Sequence, residues 1–130
     1  MEAVLKQLTV LYVEDEEAVR HNISMALKRR VGMVITAENG KEGLEKTQEY
    51  NPDVIVTDLE MPVMNGIVMI QKIREIYGPN RPIIVITAYR DEEHYTNLAD
   101  GYLYKPVLFD KLEVMIADLV KKNKKGLSDV

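Results

Sequence analysis

Five short, nearly unbroken apolar runs, separated by helix-like stretches, constrain this chain more than any other feature. The runs are LTVLYV (8–13), MVITA (33–37), DVIVTD (53–58), PIIVIT (82–87) and the brief GYLY (101–104). Strands that are apolar on both sides must be covered on both sides, the condition of a parallel sheet whose connections carry helices. The segments between them have the matching period. In EEAVRHNISMALKRR, Val19, Ile23, Ala26 and Leu27 form a stripe at helical spacing. Asn65-Gly66 reads as a turn after the third strand; Ile67, Ile70, Ile73 and Ile76 or Tyr77 mark the helix that follows, and Leu108, Leu112, Met115, Ile116 and Leu119 mark the final one. NGKEGLEKTQEY reads as a weaker helix with Gly43 inside it, and a helix near 91–98 has the faintest pattern.

Right-handed crossovers leave few topologies for five such units. The fold class expected is α/β, a flavodoxin-like doubly wound five-stranded parallel sheet of order 2-1-3-4-5. Residues 6–121 form the expected domain, and 122–130 a basic tail or the start of a linker. The chain has 130 residues, 46% of them apolar, enough for one continuous core. No apolar stretch reaches the roughly 18 residues of a membrane span, and the start lacks the pattern of a secretory signal. The absence of cysteine removes disulfides and thiolate metal sites and fits a cytoplasmic home. Residues 1–120 hold 13 Lys/Arg against 20 Asp/Glu, while KKNKKGLSDV adds four lysines and one Asp. An acidic body disfavours direct nucleic-acid contact. The lysine-rich end suits a solvated helix C-terminus or linker.

Sheets of this kind bind ligands beyond the carboxyl ends of their strands, at the switch point between strands 1 and 3. There strand 1 ends in Glu14-Asp15, strand 3 in Asp58, strand 4 in Thr87 and strand 5 in Lys105. Crowded carboxylates repel, and a hard divalent cation offsets that repulsion; Mg²⁺ is the usual partner of a few carboxylates and a phosphate. Zinc is disfavoured, since cysteine is absent and His21 and His94 share no ligand spacing. Carboxylates, a hydroxyl and an ammonium around one point suggest phosphoryl transfer, with Asp58 as attacking oxygen and Thr87 and Lys105 as partners of the phosphoryl oxygens.

At these residues the chain resembles the receiver domains of two-component response regulators. LYVEDEE, PDVIVTDLEMPVMNG, PIIVITA and GYLYKP carry the resemblance, in order and near the expected spacings. It implies that Glu14 and Asp15 help to hold Mg²⁺, that Asp58 is both phospho-acceptor and ligand, and that the backbone carbonyl of Glu60 completes the metal shell. Thr87 and Lys105 match the family's Thr and Lys, Pro106 its cis proline, and Tyr102 the aromatic that swings with Thr87. The implied protein is a phospho-accepting switch and not an enzyme. Its donor is a sensor histidine kinase or a histidine phosphotransfer protein. Its output partner or domain reads the face of helix 4, strand 5 and helix 5. Phosphorylation-linked homodimers occur in the family, although no dimer face is legible here.

The chain departs from the family between Thr87 and Lys105, where Lys105 follows Thr87 by 18 positions. That is about one helical turn of 3.6 residues fewer than usual, so helix 4, near 91–98, is expected to be shortened or irregular. Glu60 and Tyr89 occupy positions that tune phosphoryl lifetime in the family, and are expected to hinder an attacking water. Three other readings stand beside this one. An aspartyl-phosphate phosphatase would echo DLE but needs a substrate cap. A flavodoxin would need a hydroxyl-rich loop where 14–17 is acidic. A receiver that binds its partner without being phosphorylated would not need Asp58, Thr87 and Lys105.

Overall fold

The computed structural model describes residues 2–128, with side chains through Asn123. Five strands, β1 (Thr9–Val13), β2 (Met33–Ala37), β3 (Val54–Thr57), β4 (Ile83–Thr87) and β5 (Gly101–Tyr104), form one parallel sheet in the order β2-β1-β3-β4-β5. Helices α1 (Glu2–Leu5), α2 (Glu17–Lys28), α3 (Gly40–Tyr50), α4 (Gly66–Tyr77) and α5 (Phe109–Ser128) accompany it. The expected sheet order is therefore the observed one. The short α1 carries no periodic signal, but it places Leu5 in the core at 1% exposure. No helix among the described residues is long and apolar enough to cross a membrane.

The side-chain period of two divides each apolar run between two cores. Val10, Tyr12, Val54, Val56, Ile84 and Ile86 join Leu27, Leu112 and Ile116 on one face. Leu11, Val13, Ile55, Ile83 and Val85 join Met69, Ile70 and Ile73 on the other. Burying each such side chain contributes about 1.5–3 kcal/mol, so the central strands hold the sheet together. Gly43 has a packing reason inside α3: a Cβ there would lie 2.6 Å from Met69 Sδ and 3.1 Å from Val13 Cγ2.

Several local expectations are corrected. Asn65-Gly66, expected as a turn, is a helix start: Asn65 caps α4 by accepting the Val68 N–H at 2.9 Å, and Gly66 is its first helical residue. Ile76 and Leu108 stand 61% and 63% exposed, the first at the end of α4 and the second just before α5, both outside the core. Apart from these corrections, α5 runs on through Ser128, while the last two residues and the side chains from Lys124 lie outside the described residues.

The crossover from β4 to β5 has one 3₁₀ turn, Glu92–His94, where the fourth crossover helix was expected. Side chains hold this stretch in place of a helical ladder. Arg74 Nε donates to the Leu98 carbonyl at 2.9 Å, and its Nη2 pairs with Asp100 at 2.9 Å. The Tyr102 hydroxyl donates to the Thr96 carbonyl at 2.6 Å and accepts the Thr96 N–H at 2.7 Å. Tyr95 stacks on Tyr102 at 5.1 Å between ring centroids.

Candidate functional site

Register places the site. Val13 pairs with Thr57, so the next residues, Glu14 and Asp58, leave the sheet side by side. The ladder continues past the strand ends: Asp58 N–H donates to the Val13 carbonyl at 3.0 Å, and Lys105 N–H to that of Thr87 at 2.9 Å. Asp58 is held on both oxygens. Its Oδ1 accepts the Leu59 N–H at 2.7 Å, and its Oδ2 lies 3.0 Å from Lys105 Nζ. The same ammonium stands 3.2 Å from Glu14 Oε1. Gly66 permits this approach, since a Cβ there would run into the Asp58 carbonyl.

The electrostatics follow from burial. Glu14 is 1% exposed and Asp58 6%. Burial first, and then the Asp58 charge, pushes the Glu14 carboxyl up to about 7, against the Glu16 N–H and Lys105. Burial works against the Lys105 ammonium, but the hydrogen bond and charge of Asp58, then Glu14, outweigh it and raise its pKa. The Tyr12 phenol below them is driven well above its ordinary range, first by burial and then by the charges of Glu14 and Asp58. Carboxylate oxygens of Glu14, Asp15 and Asp58 lie within 4.8 Å of one another. Three hard oxygen donors, two of them buried beside one ammonium, suit a small divalent cation.

Residues 10–117 match the response regulator receiver domain family. The chain belongs to that family. The receiver is 36% identical over 112 residues to the chemotaxis protein CheY of Halobacterium salinarum, covering 83% of this chain and 91% of that one. It is 30% identical over 125 residues to the transcriptional regulatory protein AfsQ1 of Streptomyces coelicolor, covering 93% of this chain but only 55% of AfsQ1. The crystal structure of a CheY-like receiver domain protein from Methanospirillum hungatei superposes with a TM-score of 0.86 at 25% identity, covering 92% of this chain and 98% of that one.

Within this receiver, the residues singled out in the sequence fall into two groups. Glu14, Asp15, Asp58 and Lys105 converge, with Asp15 the exposed member. Thr87 is fully buried at the neighbouring strand end, its hydroxyl accepting the Tyr89 N–H at 3.1 Å. The Lys105–Pro106 peptide bond is cis. Tyr102 is tied to Thr96 and stacked on Tyr95, so a swing of its ring breaks two hydrogen bonds and one stack. Glu60 and Tyr89 do not stand free: both contact His94, Glu60 Oε1 at 2.6 Å and the Tyr89 ring at 4.1 Å between centroids.

Two site neighbours carried no signal in the sequence. Arg20 Nη1 donates to the carbonyls of Glu14 at 2.8 Å and Asp15 at 3.3 Å, gripping the acidic turn from α2. Its place one turn into the helix, six residues after Glu14, is the only hint available. His94 arrives from the crossover, 34 residues from Glu60, through a segment with no period to read.

Proposed function

We propose that this receiver accepts a phosphoryl group on Asp58 from a phosphohistidine of a sensor histidine kinase or a histidine phosphotransfer protein. The Asp58 carboxylate that lies between Glu14, Asp15 and Lys105 carries this reading, with Lys105 Nζ 3.0 Å away. In the transfer, an Asp58 oxygen bonds to phosphorus as the phosphorus–nitrogen bond breaks, and the freed imidazole nitrogen takes a proton from solvent. Lys105 and the Thr87 hydroxyl then pair with phosphoryl oxygens, where charge collects in the transition state. Glu14, Asp15, Asp58 and the Glu60 carbonyl would hold Mg²⁺, which when bound neutralises charge on those oxygens.

The group that accepts the phosphoryl is the chain's own Asp58, which stays occupied until hydrolysis restores it, so the chain reads as a switch that assists its own phosphoryl transfer and dephosphorylation and not as an enzyme. Phosphorylation would draw Thr87 toward the new group and bias Tyr102, altering the surface of the 88–100 crossover, β5 and α5 that an output partner or domain reads. Phosphorylation-linked homodimers belong to the same reading.

Intact mass after incubation with acetyl phosphate tests it, beside Asp58→Asn and a metal-free control. One added phosphoryl group, dependent on Mg²⁺ and absent from the variant, is the expected result. No adduct from acetyl phosphate or from phosphohistidine donors would leave phosphorylation-independent partner binding as the function.

A further inference from the structure

The segment that replaces the fourth crossover helix delivers one side chain to both Glu60 and Tyr89, which follow Asp58 and Thr87 by two residues. His94 Nε2 lies 2.6 Å from Glu60 Oε1, and its Nδ1 lies 2.6 Å from Asp91 Oδ1. Asp91 also accepts the His94 N–H at 3.1 Å, so the turn that carries the ring is fixed at its own start. The face of the ring stacks on Tyr89, with 19° between the planes. The His94 side chain is thereby only 15% exposed, although Glu60 and Asp91 are 63% and 54% exposed.

These contacts join two strand ends. Glu60 follows Asp58 by two residues, and Tyr89 follows Thr87 by two, with its N–H on the Thr87 hydroxyl. An exposed glutamate and an exposed tyrosine would ordinarily sample several rotamers each. Held by one ring, they lose that freedom together, so the residues two places after Asp58 and two places after Thr87 are fixed relative to each other.

We propose that His94 is a positioning residue for the phosphoryl chemistry of Asp58: it fixes Glu60 and Tyr89 relative to each other and so prolongs the aspartyl phosphate. The role rests on Asp58 being the acceptor. In the hydrolysis that it slows, a water oxygen bonds to phosphorus as the bond from phosphorus to the Asp58 oxygen breaks. Phosphate leaves with one proton of the water, the other passes to solvent, and the Asp58 carboxylate is restored. His94 touches none of the reacting atoms. Because the ring is carried by the crossover, anything that displaces the crossover, such as a docked output partner, would release Glu60 and Tyr89 and shorten the lifetime.

The test follows decay of the phosphoryl adduct by intact mass after loading with acetyl phosphate and Mg²⁺ and removal of the donor. Wild type, His94→Ala, Glu60→Ala, the double variant and His94→Phe are compared. Glu60→Ala keeps the backbone carbonyl, and His94→Phe keeps the stack on Tyr89 while losing the bond to Glu60. Loss of His94 is expected to shorten the lifetime about three- to tenfold, the range of a contact-coupled pair. The double variant should decay no faster than the faster single one, and His94→Phe should lie between. A purely structural role would not produce that non-additivity. Unchanged decay in His94→Ala, or additive effects of the two alanines, overturns the role of His94 alone. A wild-type chain that gains no phosphoryl group overturns the reading of Asp58 and this role with it.

Discussion

Lys105 and Asp58 are 47 residues apart in the chain, yet the ammonium nitrogen lies 3.0 Å from Asp58 Oδ2 and 3.2 Å from Glu14 Oε1. One cation thus answers two buried carboxylates that would otherwise repel. Lys105→Met should lower the rate of phosphoryl uptake by about two orders of magnitude, the cost of removing one aimed donor from a charge-developing site. Timed mass spectra with acetyl phosphate measure it. A rate equal to that of wild type would mean that Lys105 neutralises the resting site and plays no part in transfer.

Gly66 is the point where the loop after Asp58 comes back against the strand. An added Cβ would meet the Asp58 carbonyl and come within 2.9 Å of Leu59 Cα, and backbone cannot swing aside. Gly66→Ala is expected to cost about 1–3 kcal/mol in urea denaturation, the range for overpacking. It should also displace the Asp58 carboxylate and slow phosphoryl uptake. Ala is the better helix former, so an exposed first turn would gain from the change. Stabilisation would therefore show that the close approach is absent.

Val63, in the same loop, sits at φ 68°, and the Met64 N–H closes a three-residue turn on the Pro62 carbonyl at 2.7 Å. A β-branched residue is strained there, and at 77% exposure little packing offsets the strain. Left-handed backbone costs a non-glycine residue about 1–2 kcal/mol, against about 0.5–1 kcal/mol of extra chain entropy for glycine. Val63→Gly should therefore raise stability by about 0.5–1 kcal/mol, read from the denaturation midpoint. A lower midpoint would place Val63 in a different backbone region.

Tyr102 supplies a pH dependence. Burial raises its pKa above the ordinary tyrosine value, against the pull of its bond to Thr96. A raised folded-state pKa means stability that is complete below the unfolded value of about 10 and lost as pH rises through the folded one. Tyr102→Phe should cost about 1 kcal/mol near neutral pH through the two stranded Thr96 groups. The gap to wild type should shrink from about pH 10 upward, as the unfolded wild-type phenol ionises first. Urea denaturation of both proteins from about pH 8 to about pH 11 checks this. A gap constant over that range would place the Tyr102 hydroxyl in solvent.

The architecture could be read from the chain because its signals are local. Continuous apolar runs such as 82–87 announce strands covered on both faces, and a stripe such as Ile67, Ile70 and Ile73 announces the helix between them. The parallel arrangement then sends every strand's carboxyl end to one edge, which brings Glu14, Asp58, Thr87 and Lys105 together from their places in the chain alone. Misreadings came where a local pattern has two structural meanings. Asn65-Gly66 serves a turn and a helix cap equally well, and an apolar residue beside a helix start, such as Leu108 just before α5, fits the period while lying outside the core.

The order of elements, the two-sided core and the chemical types that meet at the edge are thus legible along the chain. Which atoms answer one another is settled in three dimensions: Lys105 serves Glu14 as well as Asp58, Arg20 grips the acidic turn, and His94 spans Glu60 and Tyr89. The physical reason is that periodicity reports only what each residue has behind it along its own element. Contacts between long polar side chains are set by the path of aperiodic loops. The 88–100 crossover, which has no stripe to read and is held by Arg74, Tyr102 and His94, is where that distinction is sharpest.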